Sequence, residues 1–328
     1  MDLSFFFAQT FTQALSVTTI IYILAAIGLN LQFGYTGLLN FGVVAFVAVG
    51  AYTVAVVVVQ WKNSLILAVV ASLAAAAVLG LILGIPTLRL RADYLAIVTI
   101  GASEVIRLTL RSTPLADTFG GVQGVNGPMG ADFYALNPLP EGFSLPFFTW
   151  TRTDIWLVIG GWTLIAVVSV GVWLLVRSPW GRVVKGIRED EDAVRSLGKN
   201  TFNYKMQALI LGGMIGAIGG VVWAVARQSV QADSYVPDFT FFVYTMLLLG
   251  GAARVLGPIV GGLAFWFIWV AVGEFFASAI TAGWINFLTA NQIGPIRFML
   301  VGAGLMALMI FRPQGILGDR REIALDAR

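Results

Sequence analysis

The stretch GLNLQFGYTGLLNFG (residues 28–42) lies inside a run, residues 3–61, that contains no Asp, Glu, Lys or Arg. Such a run is long enough for two helices that each cross about 30 Å of hydrocarbon. The quoted stretch interrupts the run with four glycines and with hydrogen-bonding side chains, namely Asn30, Gln32, Tyr35, Thr36 and Asn40. Non-helical backbone at membrane depth has to be buried in protein or reached by water. One interpretation is therefore a broken or re-entrant segment whose polar side chains line a solute pathway.

The alternative interpretation is helix packing. Glycine and threonine allow helices to approach closely, and Asn or Gln side chains bond across to neighbouring helices. A second interrupted region, MLLLGGAARVLGPIVGG (residues 246–262), lies at a comparable place in the second half of the chain. Paired Gly/Pro interruptions in two halves indicate a solute site near the membrane midplane, which slightly favours the pathway.

Composition places the whole chain in the membrane. Of its 328 residues, 58% are hydrophobic and 11% are charged, against about 25% charged in soluble domains. The chain has neither Cys nor His, which excludes disulfides, thiolate or imidazole metal sites and His- or Cys-dependent catalysis. The net charge of +3 comes from scattered Lys and Arg and predicts no nucleic-acid partner.

Hydropathy predicts an all-α, polytopic transmembrane bundle, residues 1–328, with about nine spans and a range of eight to ten. The predicted spans are 13–33, 38–60, 64–84, 93–112, 154–176, 205–227, 239–253, 255–278 and 295–311. Lys and Arg cluster in alternate connections, so the positive-inside rule predicts the N-terminus outside, an extracytoplasmic loop at 113–153 and a cytoplasmic tail at 312–328. The N-terminus lacks a basic n-region, so we expect residues from Leu3 onwards to stay in the mature protein.

The segment 177–205, RSPWGRVVKGIREDEDAVRSLGKNTFNYK, is the most polar part of the chain. Its apolar spacing predicts one short cytoplasmic helix over 182–197 that ends at Gly198 in a left-handed turn. Asn200 or Thr201 is placed to cap the following membrane helix. The segment is either a docking element for a soluble partner or a solvated connector.

Several blocks resemble the LivM-like permease subunits of ATP-binding-cassette importers for branched-chain and other neutral amino acids. The blocks are GLNLQFGYTGLLNFGVVAFVAVGAY (28–52), YLAIVTIGASEVIRL (94–108), FGGVQGVNG (119–127), GRVVKGIREDEDAVRSLGKNTFNYKMQALILGGMIGAIGG (181–220), LLLGGAARVLGPIVGG (247–262) and MALMIFRPQGILG (306–318). They follow one another in order over nearly the whole chain. Asp192, Ala193, Val194 and Gly198 resemble the EAA-xxx-G pattern of importer permeases.

The resemblance implies a multi-pass subunit of a bacterial plasma (inner) membrane that alternates access to its solute. It implies a second, LivH-like permease subunit, two ATPase subunits that bind ATP and Mg²⁺, and an extracytoplasmic substrate-binding protein. No cofactor is expected on this chain itself. The implied ATPase-coupling residues are Arg188, Glu189, Asp190, Glu191, Asp192, Ala193 and Gly198. Related permeases also carry urea and short amides, so that substrate class stays open.

Charged residues within the spans have two interpretations each. Glu104 and Arg107 are three residues apart and are expected to pair on one helix face, either as a structural ion pair or as contacts for a zwitterionic solute. Glu274 and Arg297 would pair if the last two spans are neighbours, either to fasten those spans, which is the favoured interpretation, or as a gate. A glycine repeat at 212, 216 and 220 gives a flat face for close packing, within this subunit or against a second one.

The sequence fits three classes of function to different degrees. A transport subunit driven by a separate ATPase is favoured because the chain lacks a G-x-x-x-x-G-K-[ST] phosphate loop of its own. A self-sufficient secondary transporter or channel is the alternative, although it needs ionisable groups deep in the spans and would leave segment 177–205 unexplained. A membrane enzyme is least favoured, because no acid/base pair or metal site is evident.

Overall fold

The computed structural model describes residues 3–90, 92–140, 150–281, 292–312 and 314–318. The helices are α1 (Leu3–Ala14), α2 (Val17–Leu29), α3 (Val43–Val54), α4 (Leu65–Thr87), α5 (Ala92–Arg111), α6 (Ala116–Phe119), α7 (Ala131–Ala135), α8 (Arg152–Arg177), α9 (Pro179–Glu189), α10 (Glu191–Ser196), α11 (Thr201–Arg227), α12 (Pro237–Gly250), α13 (Gly257–Thr281) and α14 (Ile293–Phe311). One two-stranded antiparallel sheet joins β1 (Val125–Asn126) to β2 (Ser229–Val230).

The charge-free run forms three helices rather than two. The first predicted span, 13–33, starts too early, because Ser16 has extended backbone angles (φ −66°, ψ 166°) that end α1 and allow α2 to begin at Val17. α2 and α3 each end in a π-helical turn, at Asn30–Gly34 and Ala55–Gln60. Residues 37–42 between them are not helical, so the predicted interruption is confirmed.

Among the described residues, six helical segments are long and apolar enough to cross a membrane. They are Val17–Gly34, Val43–Gln60, Leu65–Thr87, Arg152–Arg177, Thr201–Arg227 and Gly257–Ile280. The other three predicted spans fall on α5, which contains Glu104, Arg107 and Arg111, on α12, which has 14 residues, and on α14. The chain is an all-α polytopic membrane protein, and the count of nine spans stays a prediction.

Helix α11 packs between α2 and α3 through its glycines. A Cβ atom added to Gly28 of α2 would lie 2.3 Å from the carbonyl oxygen of Gly212, and one added to Gly220 would lie 2.0 Å from the carbonyl oxygen of Val47 in α3. Backbone therefore meets backbone on both sides of α11. Gly212 and Gly220 therefore serve close packing within this subunit, which is one of the two interpretations of the glycine repeat.

The second interrupted region is also non-helical. α12 ends at Gly250, and Gly251 and Ala253 have positive φ angles of 105° and 58°. The segment 314–318 then docks on this turn, with the backbone N–H of Ile316 donating to the carbonyl of Leu249 (2.9 Å). The rest of the predicted tail, 319–328, lies outside the described residues.

The two ends of α11 separate two groups of connections. The turn after α4 and the helices α9 and α10 lie near Thr201, at the start of α11. The turn at Ala253 lies at the same end, because it contacts Gly34 in the turn that ends α2. Near Val225 lies the loop that precedes α8, whose Tyr134 hydroxyl donates to the carbonyl of Val225 (3.1 Å). These connections thus lie at opposite ends of α11, and which end faces the cytoplasm stays a prediction.

The predicted loop 113–153 is ordered where it is described. It contains α6, α7 and β1, and Asp132 accepts a hydrogen bond from the backbone N–H of Leu65 (2.9 Å) at the start of α4. The sheet with β2 was not foreseen, because two-residue strands leave no periodic pattern. Residues 141–149 of the loop lie outside the described part.

Candidate functional site

Asn30 joins the two interrupted regions of the chain. Its side-chain amide donates to the carbonyl of Arg254 (2.8 Å), and its side-chain oxygen accepts from the backbone N–H of Ala253 (2.9 Å). Ala253 is one of the described non-glycine residues with positive φ, a conformation that needs support. Asn30 thus satisfies two backbone groups of a strained turn 223 residues away in the sequence.

Gln32 and Asn40 hold the first interruption in place. The Gln32 amide donates to the carbonyl of Leu209 in α11 (2.9 Å), and the Asn40 amide donates to the side-chain oxygen of Gln32 (2.8 Å). The Asn40 side chain also accepts from the N–H of Gly42 (2.8 Å), while its backbone carbonyl accepts from the hydroxyl of Tyr244 in α12 (3.1 Å). Side chains thereby replace the hydrogen bonds that a helix would provide.

The five polar residues of the first interruption that are predicted to line a pathway are buried, whereas Glu104, predicted with Arg107 to contact the solute, is 37% exposed. Thr36 donates to the carbonyl of Leu31 (2.9 Å), and the ring of Tyr35 lies 5.7 Å from the Lys185 ammonium. We call Asn30, Gln32, Tyr35, Thr36 and Asn40 the interior polar cluster. Solute contact by this cluster stays a prediction.

Replacing Asn30 with alanine is expected to lower the thermal midpoint of the purified chain. The substitution leaves the N–H of Ala253 without its partner, while the carbonyl of Arg254 keeps the bond from the N–H of Gly257 (3.2 Å). An unsatisfied backbone group costs about 1–3 kcal/mol when it is buried. Thermal unfolding in detergent measures the effect. Asn203→Ala is the matched control, since that side chain is exposed on α11. Equal midpoints for the two variants would show that the hydrogen bonds of Asn30 do not stabilise the fold.

The polar segment 177–205 forms two helices rather than one. The single helix predicted over 182–197 is wrong: α9 already begins at Pro179, and the chain breaks at Asp190, whose backbone is extended (φ −153°, ψ 101°). The Asp190 carboxylate caps α10 by accepting from the N–H of Ala193 (2.9 Å), a role that competes with a continuous helix. We call α9 and α10 together the hairpin.

The residues that follow the hairpin adopt the conformations predicted from the sequence. Gly198 has a φ of +76°, and Asn200 caps α11 by accepting from the N–H of Asn203 (3.2 Å). The left-handed stop and the predicted cap are confirmed.

Among the predicted coupling residues, Glu191 faces inward and Asp192 faces solvent. Glu191 binds the Lys205 ammonium, the Arg195 guanidinium (3.1 Å) and the Thr201 hydroxyl (3.0 Å), which ties α10 to α11. Burial alone raises the pKa of Glu191, but the bonds from Lys205 and Thr201 and the nearby charges outweigh it, so its pKa is lowered. Asp192 is 90% exposed, and in the described part of the chain its ion-pair partner is Arg195 (3.3 Å).

The hairpin also contacts the first interruption. The Arg188 guanidinium donates to the carbonyl of Gly34 (2.7 Å), in the π-helical turn that holds Asn30 and Gln32. The exposed side of the hairpin presents Glu189, Asp190, Asp192, Ala193 and Gly198. Arg188 therefore links the hairpin to the turn that carries Asn30 and Gln32.

An ion-pair network lies at the opposite end of the molecule. The Arg107 guanidinium binds Glu104 (2.9 Å from Nε to a carboxylate oxygen) and Asp233 (2.8 Å), and Arg111 also binds Asp233 (3.2 Å). The predicted Glu104–Arg107 pair is confirmed. Asp233 lies 126 residues from Arg107 in the sequence, so only the fold brings it to Arg107 and Arg111. The network fastens α5 to the segment before α12.

Removing Arg107 is expected to destabilise the chain more than removing Arg111. Arg107 is 13% exposed and binds two carboxylates, whereas Arg111 is 41% exposed and binds one. Exposed ion pairs contribute about 0–1 kcal/mol and hydrogen bonds to charged groups about 1.5–3 kcal/mol. The Arg107 bonds fall between these ranges, because Glu104 and Asp233 are 37% and 51% exposed. Thermal midpoints of Arg107→Gln and Arg111→Gln, measured in the same detergent, test this. Equal shifts would mean that the Glu104 contact adds nothing.

The expected pair between Glu274 and Arg297 is not formed. α13 and α14 are neighbours, but the Arg297 guanidinium lies over the Trp269 ring (6.0 Å) and against Gly273, and no ion pair joins it to Glu274 in the described part of the chain. The flat glycine surface admits the guanidinium beside the indole, where a cation–π contact is available.

Together these features define a class of protein. The chain is a multi-pass membrane protein whose buried helix breaks are joined by side-chain hydrogen bonds, and which presents a polar helical hairpin connected to one of those breaks. A family model described as "Branched-chain amino acid transport system / permease component" matches residues 11–311. The chain belongs to this permease family.

Individual relatives agree with the family match. The chain is 30% identical to the "High-affinity branched-chain amino acid transport system permease protein LivM" of Escherichia coli K12, over 93% of this chain and 70% of the relative. It is 24% identical to a "Probable branched-chain amino acid transport permease protein LivM" of Methanocaldococcus jannaschii, over 92% and 91%. The "Autoinducer 2 import system permease protein LsrC" of Klebsiella pneumoniae is 30% identical over 31% of each chain. The resemblance to LivM-like permeases is confirmed, and no solved structure matches.

Proposed function

We propose that this chain is a membrane-spanning subunit of an ATP-driven importer that moves branched-chain or other neutral amino acids by alternating access. The family membership supports a permease. The observation that carries the coupling part is the contact of the exposed hairpin with the broken helix α2, through Arg188 and Gly34. Movement of the hairpin changes the geometry of the interior polar cluster through that bond.

The proposed importer contains further subunits. Two ATPase subunits bind ATP and Mg²⁺ and press on the hairpin; a second, LivH-like permease completes the pathway; and a substrate-binding protein delivers the solute to the end that carries Asp233. The chain lies in a bacterial plasma (inner) membrane with the hairpin in the cytoplasm and the N-terminus outside. The gathering of Arg89, Arg188, Arg195 and Lys205 around one cavity supports this orientation.

Co-purification tests the assembly. The tagged chain is extracted gently from its native membrane, and the proteins that remain bound are identified by mass spectrometry. Recovery of a related permease and two ATPase subunits is the expected result. Recovery of the chain alone, under conditions that preserve a known importer complex, would favour a self-sufficient transporter or channel instead.

The substrate class is tested separately. The co-purified complex is reconstituted in vesicles with the cognate binding protein, and ATP-dependent uptake of radiolabelled leucine, alanine and urea is compared. We expect uptake of the two amino acids. Uptake of urea alone would replace the amino-acid assignment with that of a urea or short-amide permease.

A further inference from the structure

A cavity of about 490 Å³ lies between the turn after α4, the first interruption and the hairpin. Its volume is within the range of about 300–1,000 Å³ that is typical of small-ligand sites. The interior polar cluster contributes only Thr36 to its wall. The hydrogen bonds that clamp Asn30, Gln32 and Asn40 lie elsewhere, so this cavity is a separate feature.

The charges that line the cavity are predominantly positive. Four cationic side chains, Arg89, Arg188, Arg195 and Lys205, face one carboxylate, that of Glu191. Glu191 is already bound by Lys205 and Arg195. Arg188 bonds only to an uncharged carbonyl in the described hydrogen bonds, and Arg89 forms no ion pair with any described residue. The cavity therefore retains positive charge suited to an anion.

The surroundings of Arg89 indicate whether that anion is a lipid headgroup or a free ion. Exposed apolar side chains continue from the cavity edge along the outer faces of α4 and α5: Ile82, Ile85, Leu90, Tyr94 and Ile97. In a membrane protein such a surface contacts acyl chains, and basic pockets between spans bind the headgroups of anionic lipids. A free phosphate ion would use the charge of the cavity but not the adjoining apolar surface.

We propose that this cavity binds the phosphate of an anionic phospholipid headgroup, with the acyl chains lying along α4 and α5. Arg89 and Arg188 contact the phosphate. Because Arg188 also bonds to Gly34, the lipid contributes to the position of the hairpin relative to α2. The lipid is thus a structural ligand at the junction of membrane and hairpin, whatever solute the chain carries.

Lipid retention tests the proposal. The full-length chain is equilibrated in detergent with equal amounts of phosphatidylglycerol and phosphatidylcholine, and the retained lipids are counted by native mass spectrometry. We expect enrichment of phosphatidylglycerol, reduced about fivefold by Arg89→Gln, since one basic residue contributes on that order to binding an anionic lipid. Arg89→Lys should keep most of the enrichment. Arg182→Gln is the matched control, because Arg182 is exposed on α9 outside the cavity.

Two outcomes would overturn the proposal. Equal retention of both lipids, or equal losses in the Arg89→Gln and Arg182→Gln variants, would show that the cavity has no headgroup site. Displacement of phosphatidylglycerol by excess inorganic phosphate, but not by sodium chloride at the same ionic strength, would assign the site to free phosphate. The measurement needs no transport, so its result is independent of the proposed importer function.

Discussion

Replacing Gly220 with alanine is expected to abolish accumulation of the folded chain. The new methyl group would lie 2.0 Å from the carbonyl oxygen of Val47 and 2.8 Å from the backbone nitrogen of Ala51. Backbone atoms cannot move aside by rotating a side chain, so α3 and α11 have to separate. Overpacking of a core typically costs about 1–3 kcal/mol, and separation of two central helices adds the loss of their shared contacts. Size-exclusion chromatography of a fluorescently tagged chain measures the folded fraction.

The matched control lies one helical turn away. An alanine Cβ at Gly216 would meet its nearest neighbour, the Cβ of Phe46, at 3.6 Å, which is ordinary contact. Gly171→Ala in α8 meets no atom within 4 Å, and there alanine should stabilise the helix by up to about 1 kcal/mol. Equal yields of folded Gly216→Ala and Gly220→Ala protein would contradict the close backbone contact between α3 and α11.

Reversing the charge of Asp192 is expected to lower ATP-driven uptake at least about tenfold while leaving the amount of folded chain unchanged. Asp192 is 90% exposed and its described ion pair is with Arg195, itself 63% exposed, so the fold loses little stability when the charge is reversed. A docked ATPase that is complementary to the exposed side of the hairpin meets a like charge instead, which costs several kcal/mol. Uptake by the reconstituted complex, normalised to folded permease, measures the loss for Asp192→Lys.

Two further variants make this result specific. Asp117→Lys reverses an exposed carboxylate at the opposite end, away from the hairpin, and should keep the ATPase subunits bound, whereas Asp192→Lys should weaken their binding. Glu191→Lys breaks the bonds to Lys205 and Arg195 and should lower the thermal midpoint, so it does not separate coupling from folding. Normal uptake by Asp192→Lys would mean that the exposed side of the hairpin is not the coupling surface.

Some features followed from the sequence because their causes are local. Long charge-free runs require helices in hydrocarbon, since no water is there to bond the backbone. The left-handed turn at Gly198, the cap at Asn200 and the Glu104–Arg107 pair depend on neighbours within four residues. The break at Asp190 was just as local, and the capping preference of aspartate was the signal that could have revealed it. The order of the motifs was sufficient to predict the permease family.

Other features depended on contacts between distant residues, which no local pattern encodes. The sequence showed two interrupted regions, but only the fold brought Asn30 to Ala253 and Arg254, and Asp233 to Arg107. The same holds for Arg297, which packs on Trp269 rather than pairing with Glu274. The sequence by itself determined a helical membrane permease with two polar breaks, because backbone hydrogen bonding and hydropathy act along the chain. The tertiary structure alone decided which hydrogen-bond donor pairs with which acceptor. Each buried donor or acceptor pairs with the group that the packed helices bring within about 3 Å of it.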